Sequence, residues 1–223
     1  MALRNLKVLV GLSSLAAIAT ACESGSGDMS THFGGGTQAA VGDSCNSSDP
    51  NQICLGVRYV SYQDSGGTAV VSSELAASNI RATNAIYKQC GIQFQIDEYK
   101  AVDPTTLNLA FGAQSVNQLD AIRNTFGFDD SLLIVQTGPW GTVKNAWTST
   151  PGTGTYGAVL EASVADFPNI LAHELGHYLN LDHVNDRSNL LDAIIYPDSV
   201  NLTQDQCQTM RSAATQFWGR MRR

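Results

Sequence analysis

His173-Glu174-Leu175-Gly176-His177-Tyr178-Leu179-Asn180-Leu181-Asp182-His183 is the stretch on which the reading of this 223-residue chain turns. Three of the protein's four histidines stand in it. On a helix advancing about 100° per residue, His173 and His177 lie about 40° apart and one turn along, so both imidazoles face one side. That spacing suits two nitrogen ligands of a tetrahedral Zn²⁺ ion. Glu174, next around the helix, reaches a water at such a metal without ligating it, which suits a general base. The third ligand must come from elsewhere. No Glu follows Glu174, so a downstream Glu is excluded, and His183 is left. A continuing helix would carry His183 away along its axis, so the helix must stop first. Asn180 suits the stop, because Asn tolerates the left-handed conformation that closes a helix and turns the chain. The competing reading, a surface helix with coincidental histidines, leaves both the third His and the stop unexplained.

Outward from this motif, Asp166 is a cap candidate and Pro168 fits the first turn of the helix. Upstream, ICLGVRYVSY (53–62) reads as a strand. Val70 to Gln89 follows as a helix with a stripe of Leu75, Ile80, Ala85 and Ile86, stopping at Cys90-Gly91, and Ile92 to Tyr99 reads as a second strand. This is the start of an α/β chain. A helix over Gln114 to Phe126, a buried strand at 131–137 and two short strands around Lys144 to Ser149 and Tyr156 to Glu161 come next, the last pair suited to an edge strand and its neighbour. A final helix is expected over about Asp205 to Gly219, and no internal repeat is present.

With 43% apolar and 15% charged residues the composition is that of a folded protein, and a formal net charge of −7 without a basic stripe argues against a nucleic-acid partner. The N-terminus carries Arg4 and Lys7, then VLVGLSSLAAIATA, too short an apolar run to span a bilayer comfortably, and residues 1–21 read as an export signal. Ala19-Thr20-Ala21-Cys22 is similar to a bacterial lipobox, although Ala stands where Leu is usual. Acylation of Cys22 would make a lipid anchor the only membrane attachment. The Gly/Ser/Thr/Asp-rich stretch 22–52 reads as a flexible tether, leaving 53–223 as the catalytic domain. Four further cysteines, Cys45, Cys54, Cys90 and Cys207, allow three pairings in an oxidising compartment. Cys45 with Cys54 and Cys90 with Cys207 is preferred, the first closing a short loop and the second joining an early helix end to a late helix.

HELGHYLNLDH resembles the metzincin signature HExxHxx(G/N)xxH. With Asn189-Leu190-Leu191-Asp192 and Leu202-Thr203-Gln204, it is similar to the pappalysin-like branch of bacterial secreted proteases. The resemblance implies a zincin catalytic domain with a twisted mixed sheet, a backing helix, an active-site helix and a small C-terminal subdomain. It also implies a zinc endopeptidase whose protein or peptide substrate lies antiparallel along an edge strand; the N-terminal signal sends it to the bacterial cell envelope or outside the cell, and a monomer is expected. The family's turn below the metal usually carries Met. None stands there in this chain, and Leu191 or Ile195 would take its place. Tyr196 is a candidate transition-state stabiliser, with plain loop packing before Pro197 as the alternative. Asp182, Asp186 and Asp192 are candidates to orient the His ligands, and Trp140 and Trp147 to line a subsite or the core. Two further functions use the same residues: a surface-anchored module with structural zinc, and a zinc hydrolase of cell-wall amides.

Overall fold

In the computed structural model, residues 37–45, 49–113, 115–127, 129–141 and 144–223 are described. The export signal at 1–21 and Cys22 lie outside them. The β-branched run after Asn51 forms β2 (Ile53–Tyr62), and the elements follow as α1 (Ser73–Tyr87), β3 (Ile92–Val102), α2 (Val116–Phe126), β4 (Leu132–Gln136), β5 (Ala146–Trp147), β6 (Ala158–Leu160), α3 (Pro168–Tyr178) and α4 (Gln204–Gln216). Ser72, Ser115 and Thr203 cap α1, α2 and α4 with their side chains, the last in a full capping box with Gln206. For α3 the expectation fails. Phe167, not Asp166, is the N-cap, and no side chain caps the helix; Pro168 needs no backbone donor partner in the first turn.

A further strand, β1 (Thr37–Val41), falls inside the 22–52 stretch read as a tether, and corrects that reading. It pairs antiparallel with β3, Thr37 opposite Lys100 and Val41 opposite Ile96. An added edge strand is held by its backbone ladder, so an apolar pattern long enough to announce it was not required.

The sheet runs β1-β3-β2-β4-β6-β5. The inner four strands are mutually parallel, and an antiparallel strand closes each edge. Parallel strands buried on both faces read as unbroken apolar runs, and every residue of β4 is buried. Leu132 and Ile134 join Leu55, Val57 and Tyr59 in the core under α1, α3 and α4, whereas Leu133 and Val135 join Val60, Tyr62 and Val159 under α2. The C-terminal part shares the first core through Met210, Ala214 and Trp218. Trp140 and Trp147 are partly buried against the second.

α3 and the turn that leads into it are fixed by hydrogen bonds to residues distant in sequence. Asn79 Nδ2 donates to Ala165 O at 2.8 Å, the Tyr87 hydroxyl to Ala172 O at 2.8 Å, and Trp218 Nε1 to Tyr178 O at 2.8 Å. Disulfides join Cys45 to Cys54 and Cys90 to Cys207, across 9 and 117 residues, and such bonds fit an oxidising, exported environment.

Loop-closure entropy makes the longer bridge worth about 4–5 kcal/mol and the shorter about 3 kcal/mol. Urea unfolding of the Cys90→Ser/Cys207→Ser protein is therefore expected to show the larger loss of the two double variants. Equal losses, or the reverse order, would remove loop entropy as the source.

Candidate metal centre

The last turn of α3 determines where the third histidine goes. Asn180 has φ +71°, in the left-handed region. Its N–H donates to His177 O at 2.9 Å, and the N–H of Leu181 donates to Gly176 O at 3.0 Å. This pair of bonds is the Schellman closure of a helix, and it satisfies carbonyls that the helix end would otherwise leave open. The chain reverses there and returns His183 to the face that carries His173 and His177.

The three Nε2 atoms lie 3.0 Å (His173 to His177), 3.1 Å (His177 to His183) and 3.2 Å (His173 to His183) apart. Two of the opposite ring nitrogens are engaged by backbone carbonyls: His173 Nδ1–H donates to Leu190 O at 2.8 Å and His177 Nδ1–H to Leu181 O at 2.7 Å. In a neutral imidazole that assignment leaves Nε2 with a bare lone pair. Neutrality is enforced by burial, which pushes the His173 pKa down to about 3, with the neighbouring His177 adding to it, and lowers those of His177 and His183 as well. Lone pairs brought this close repel unless a cation sits among them. Zinc with nitrogens at about 2.0–2.1 Å in a tetrahedron sets those nitrogens about 3.3 Å apart, close to the spacing seen. The donor set therefore fits zinc. Among the described residues no other His, Cys, Asp or Glu joins the cluster, and His183 is exposed, so the site is open on one side.

Glu174 is buried beside this cluster at 6% exposure, and its Oε2 has no hydrogen-bond partner. Burial raises its pKa to about 7, against smaller lowering effects from Thr148 and from the Arg123 and Lys144 charges. The Thr148 hydroxyl is close enough to act on the carboxyl without making a well-formed bond to it. Thr148, Arg123 and Lys144 were not singled out as site residues in the sequence, being 26 to 51 positions from Glu174. Only Arg123 carried a signal, falling on the apolar stripe of α2 beside Leu119, Ile122 and Phe126.

Below the imidazoles the loop 184–203 is laced together. Val184 N–H donates to Leu191 O and Leu190 N–H to Asn201 O, both at 2.9 Å. The buried Asn189 side chain accepts from Leu191 N–H and exchanges bonds with Gln206. Leu191 is fully buried, and a Cβ at Gly176 would stand 2.9 Å from its Cδ2, so Gly176 is the helix residue that lets Leu191 approach. Ile195 is only half-buried. Of the two candidates for the turn position, Leu191 is the one packed under the helix between His173 and His177. The Tyr196 ring lies 4.3 Å from the Arg187 guanidinium, and its backbone bonds to Asn169 and Ser199. The three aspartates do not orient the ligands by hydrogen bonds. Asp186 bonds Ser188, Asp192 bonds the Ile194 N–H, and Asp182 acts on His177 and His183 through charge alone, because backbone carbonyls already occupy the Nδ1 positions of His173 and His177.

An active-site helix beneath a sheet with an antiparallel edge strand, its two histidines completed by a third after a tight turn, defines a zinc-site protein of the metzincin class. The family model described as Matrixin matches residues 68–213, well over half of the chain, and the chain belongs to the matrixin family. The crystal structure of metalloproteinase-II from Bacteroides fragilis is similar at TM-score 0.53 and 18% sequence identity, a likeness of fold. It covers 78% of this chain and 56% of that one, so the chain spans little more than half of that protein's length. No curated protein sequence matches the chain.

Two outcomes follow from this geometry. Asn180→Gly is expected to leave stability and zinc affinity near wild type, whereas Asn180→Val, β-branched at positive φ, should cost about 1–3 kcal/mol and weaken zinc binding. Competition with a metal chelator measures it; unchanged affinity in Asn180→Val would show that the turn does not set the third ligand. In the metal-free protein the histidines, with pKa values depressed below the ordinary 6.5, destabilise the fold as pH falls below that value, because the unfolded chain takes up protons first. Glu174 acts oppositely between 4.5 and about 7, where the folded state holds the proton. Removing it with Glu174→Gln should make stability fall more steeply from pH 7 to pH 4.5 than in wild type. Parallel melting curves would count against a raised Glu174 pKa.

Proposed function

We propose that the protein is a zinc endopeptidase that hydrolyses extracellular proteins or peptides. The observation that carries this reading is the open three-imidazole cluster with a buried carboxylate of unsatisfied Oε2 beside it, since a purely structural site has no use for Glu174. Zinc bound by Nε2 of His173, His177 and His183 would polarise the scissile carbonyl and lower the pKa of a water toward ~7. Glu174 takes the proton of the attacking water at its carboxylate and hands it to the leaving amine. Its poised pKa suits both halves of that transfer. Leu190 O and Leu181 O hold the rings of His173 and His177 by their Nδ1–H groups, so that both present Nε2 in one tautomer.

Among the described residues β5 is the terminal strand of the sheet, paired with β6, and its outer edge suits an extended peptide added as a further strand. The pappalysin-like branch rests on the sequence resemblance of Asn189-Leu190-Leu191-Asp192 alone, a stretch in which Leu191 N–H donates to the Asn189 side chain. Export by the 1–21 signal, anchoring through Cys22 and action as a monomer complete the reading, with the disulfides supporting an exterior location.

Glu174→Gln is expected to bind zinc stoichiometrically and to lose cleavage of an unbiased peptide library by about 100- to 10,000-fold. Wild-type cleavage should disappear with chelator and return with zinc. Turnover retained in Glu174→Gln would sink the assignment of the base, and zinc binding without any wild-type cleavage would favour a binding module.

A further inference from the structure

Arg123 heads the largest fully buried side chains among the described residues, at 1% exposure, and the chemistry above gives it no direct part. Burying a guanidinium costs several kcal/mol unless its donors are met. Here they are. Nε–H donates to Gly157 O at 2.9 Å, one Nη to Trp147 O at 3.1 Å, and the other to Asp120 Oδ1 at 3.3 Å. Trp147 ends β5 and Gly157 directly precedes β6, so one planar fork bonds both ends of the connection 148–156. That connection reads Thr-Ser-Thr-Pro-Gly-Thr-Gly-Thr-Tyr and contains no strand or helix. Among the described residues β5 pairs Ala146 with Leu160 and Trp147 with Val159, and one further backbone bond, Glu161 N–H to Asn145 O at 2.8 Å, extends the ladder; a ribbon this short is marginal unaided. Thr148, the first residue beyond β5, acts on the Glu174 carboxyl, as do the Lys144 and Arg123 charges.

We propose that Arg123 is a positioning residue that clasps the edge strand β5 in register with the three histidines and Glu174, and so sets where an extended peptide lies. The inference rests on the peptidase reading for its substrate; the clasp itself is a property of the fold. Arginine suits the site because its rigid planar fork aims Nε–H and Nη–H at two separate carbonyls, a geometry that the compact point charge of Lys does not pre-organise. The ion pair to half-exposed Asp120 is secondary, as such pairs contribute little.

The test uses the full chain loaded with zinc. In Arg123→Met, KM for a cleaved peptide is expected to rise about tenfold, since lost strand order weakens ground-state and transition-state binding alike, while kcat changes less and only through loss of the Arg123 charge that acts on Glu174. Arg123→Lys should not restore KM, and Asp120→Asn, which keeps both carbonyl bonds, should retain it. Independently of turnover, amide exchange at 146–147 and 158–160 should accelerate about tenfold in Arg123→Met while α1 keeps its protection. Wild-type KM and exchange in Arg123→Met overturn the proposal, as does an equal KM rise in Asp120→Asn. If neither Arg123 variant folds, the wild-type Arg123 Nε–H decides: slow exchange supports the clasp, and solvent-fast exchange overturns it. A wild-type protein that cleaves nothing would defeat the peptidase reading and with it the substrate-positioning role, while the exchange data would still judge the clasp.

Discussion

Three imidazole lone pairs aimed at one point repel, and the lower half of the molecule is organised to hold them there. The repulsion is accepted because burial keeps the rings neutral and because each of the Nδ1–H groups of His173 and His177 finds a carbonyl. Leu181 O belongs to the turn that ends α3, and Leu190 O to the loop beneath it. Both are backbone atoms, so the ligand geometry follows the course of the chain rather than the choice of a neighbouring side chain. This is why the turn at Asn180 and the lacing around Asn189 matter more to the site than the acidic residues nearby.

That course is in turn fixed by bonds from the rest of the fold. Tyr87 on α1 reaches the carbonyl of Ala172, the residue before the first ligand, and Trp218 near the C-terminus reaches the carbonyl of Tyr178. The long disulfide joins the end of the first helical segment to α4, and α4 supplies Gln206, which pairs with Asn189. Elements from both ends of the domain thus converge on an eleven-residue helix whose own start has no side-chain cap. Leu191, fully buried, is fitted against Gly176 on the helix between His173 and His177.

The other side of the site depends on a strand of two residues. Thr148, directly beyond β5, acts on the Glu174 carboxyl, and both ends of the connection it opens are bonded by a buried guanidinium from α2. The two cores are therefore not independent of the chemistry: α2, which packs on the face of the sheet away from α3, reaches through to the edge that borders the metal centre.

The residues 173–183 by themselves made legible the three-histidine cluster, the adjacent carboxylate and the need for a helix stop, because helical spacing and the left-handed tolerance of Asn180 are local properties. Apolar runs likewise located β2, β4 and the helices to within a few residues, since strands buried on both faces must be apolar throughout. The tertiary structure decided what spacing along the chain does not encode. β1 is held by ladder bonds that leave little trace in side-chain pattern; Leu191 and not Ile195 packs under the helix because Gly176 leaves room for it; and carbonyls, not Asp182, Asp186 or Asp192, hold His173 and His177. Arg123 showed in sequence only as a charge out of place on an apolar stripe. Its partners are backbone oxygens 24 and 34 residues away, and a carbonyl, present at every residue, reveals its role only when the fold brings it within reach of a donor.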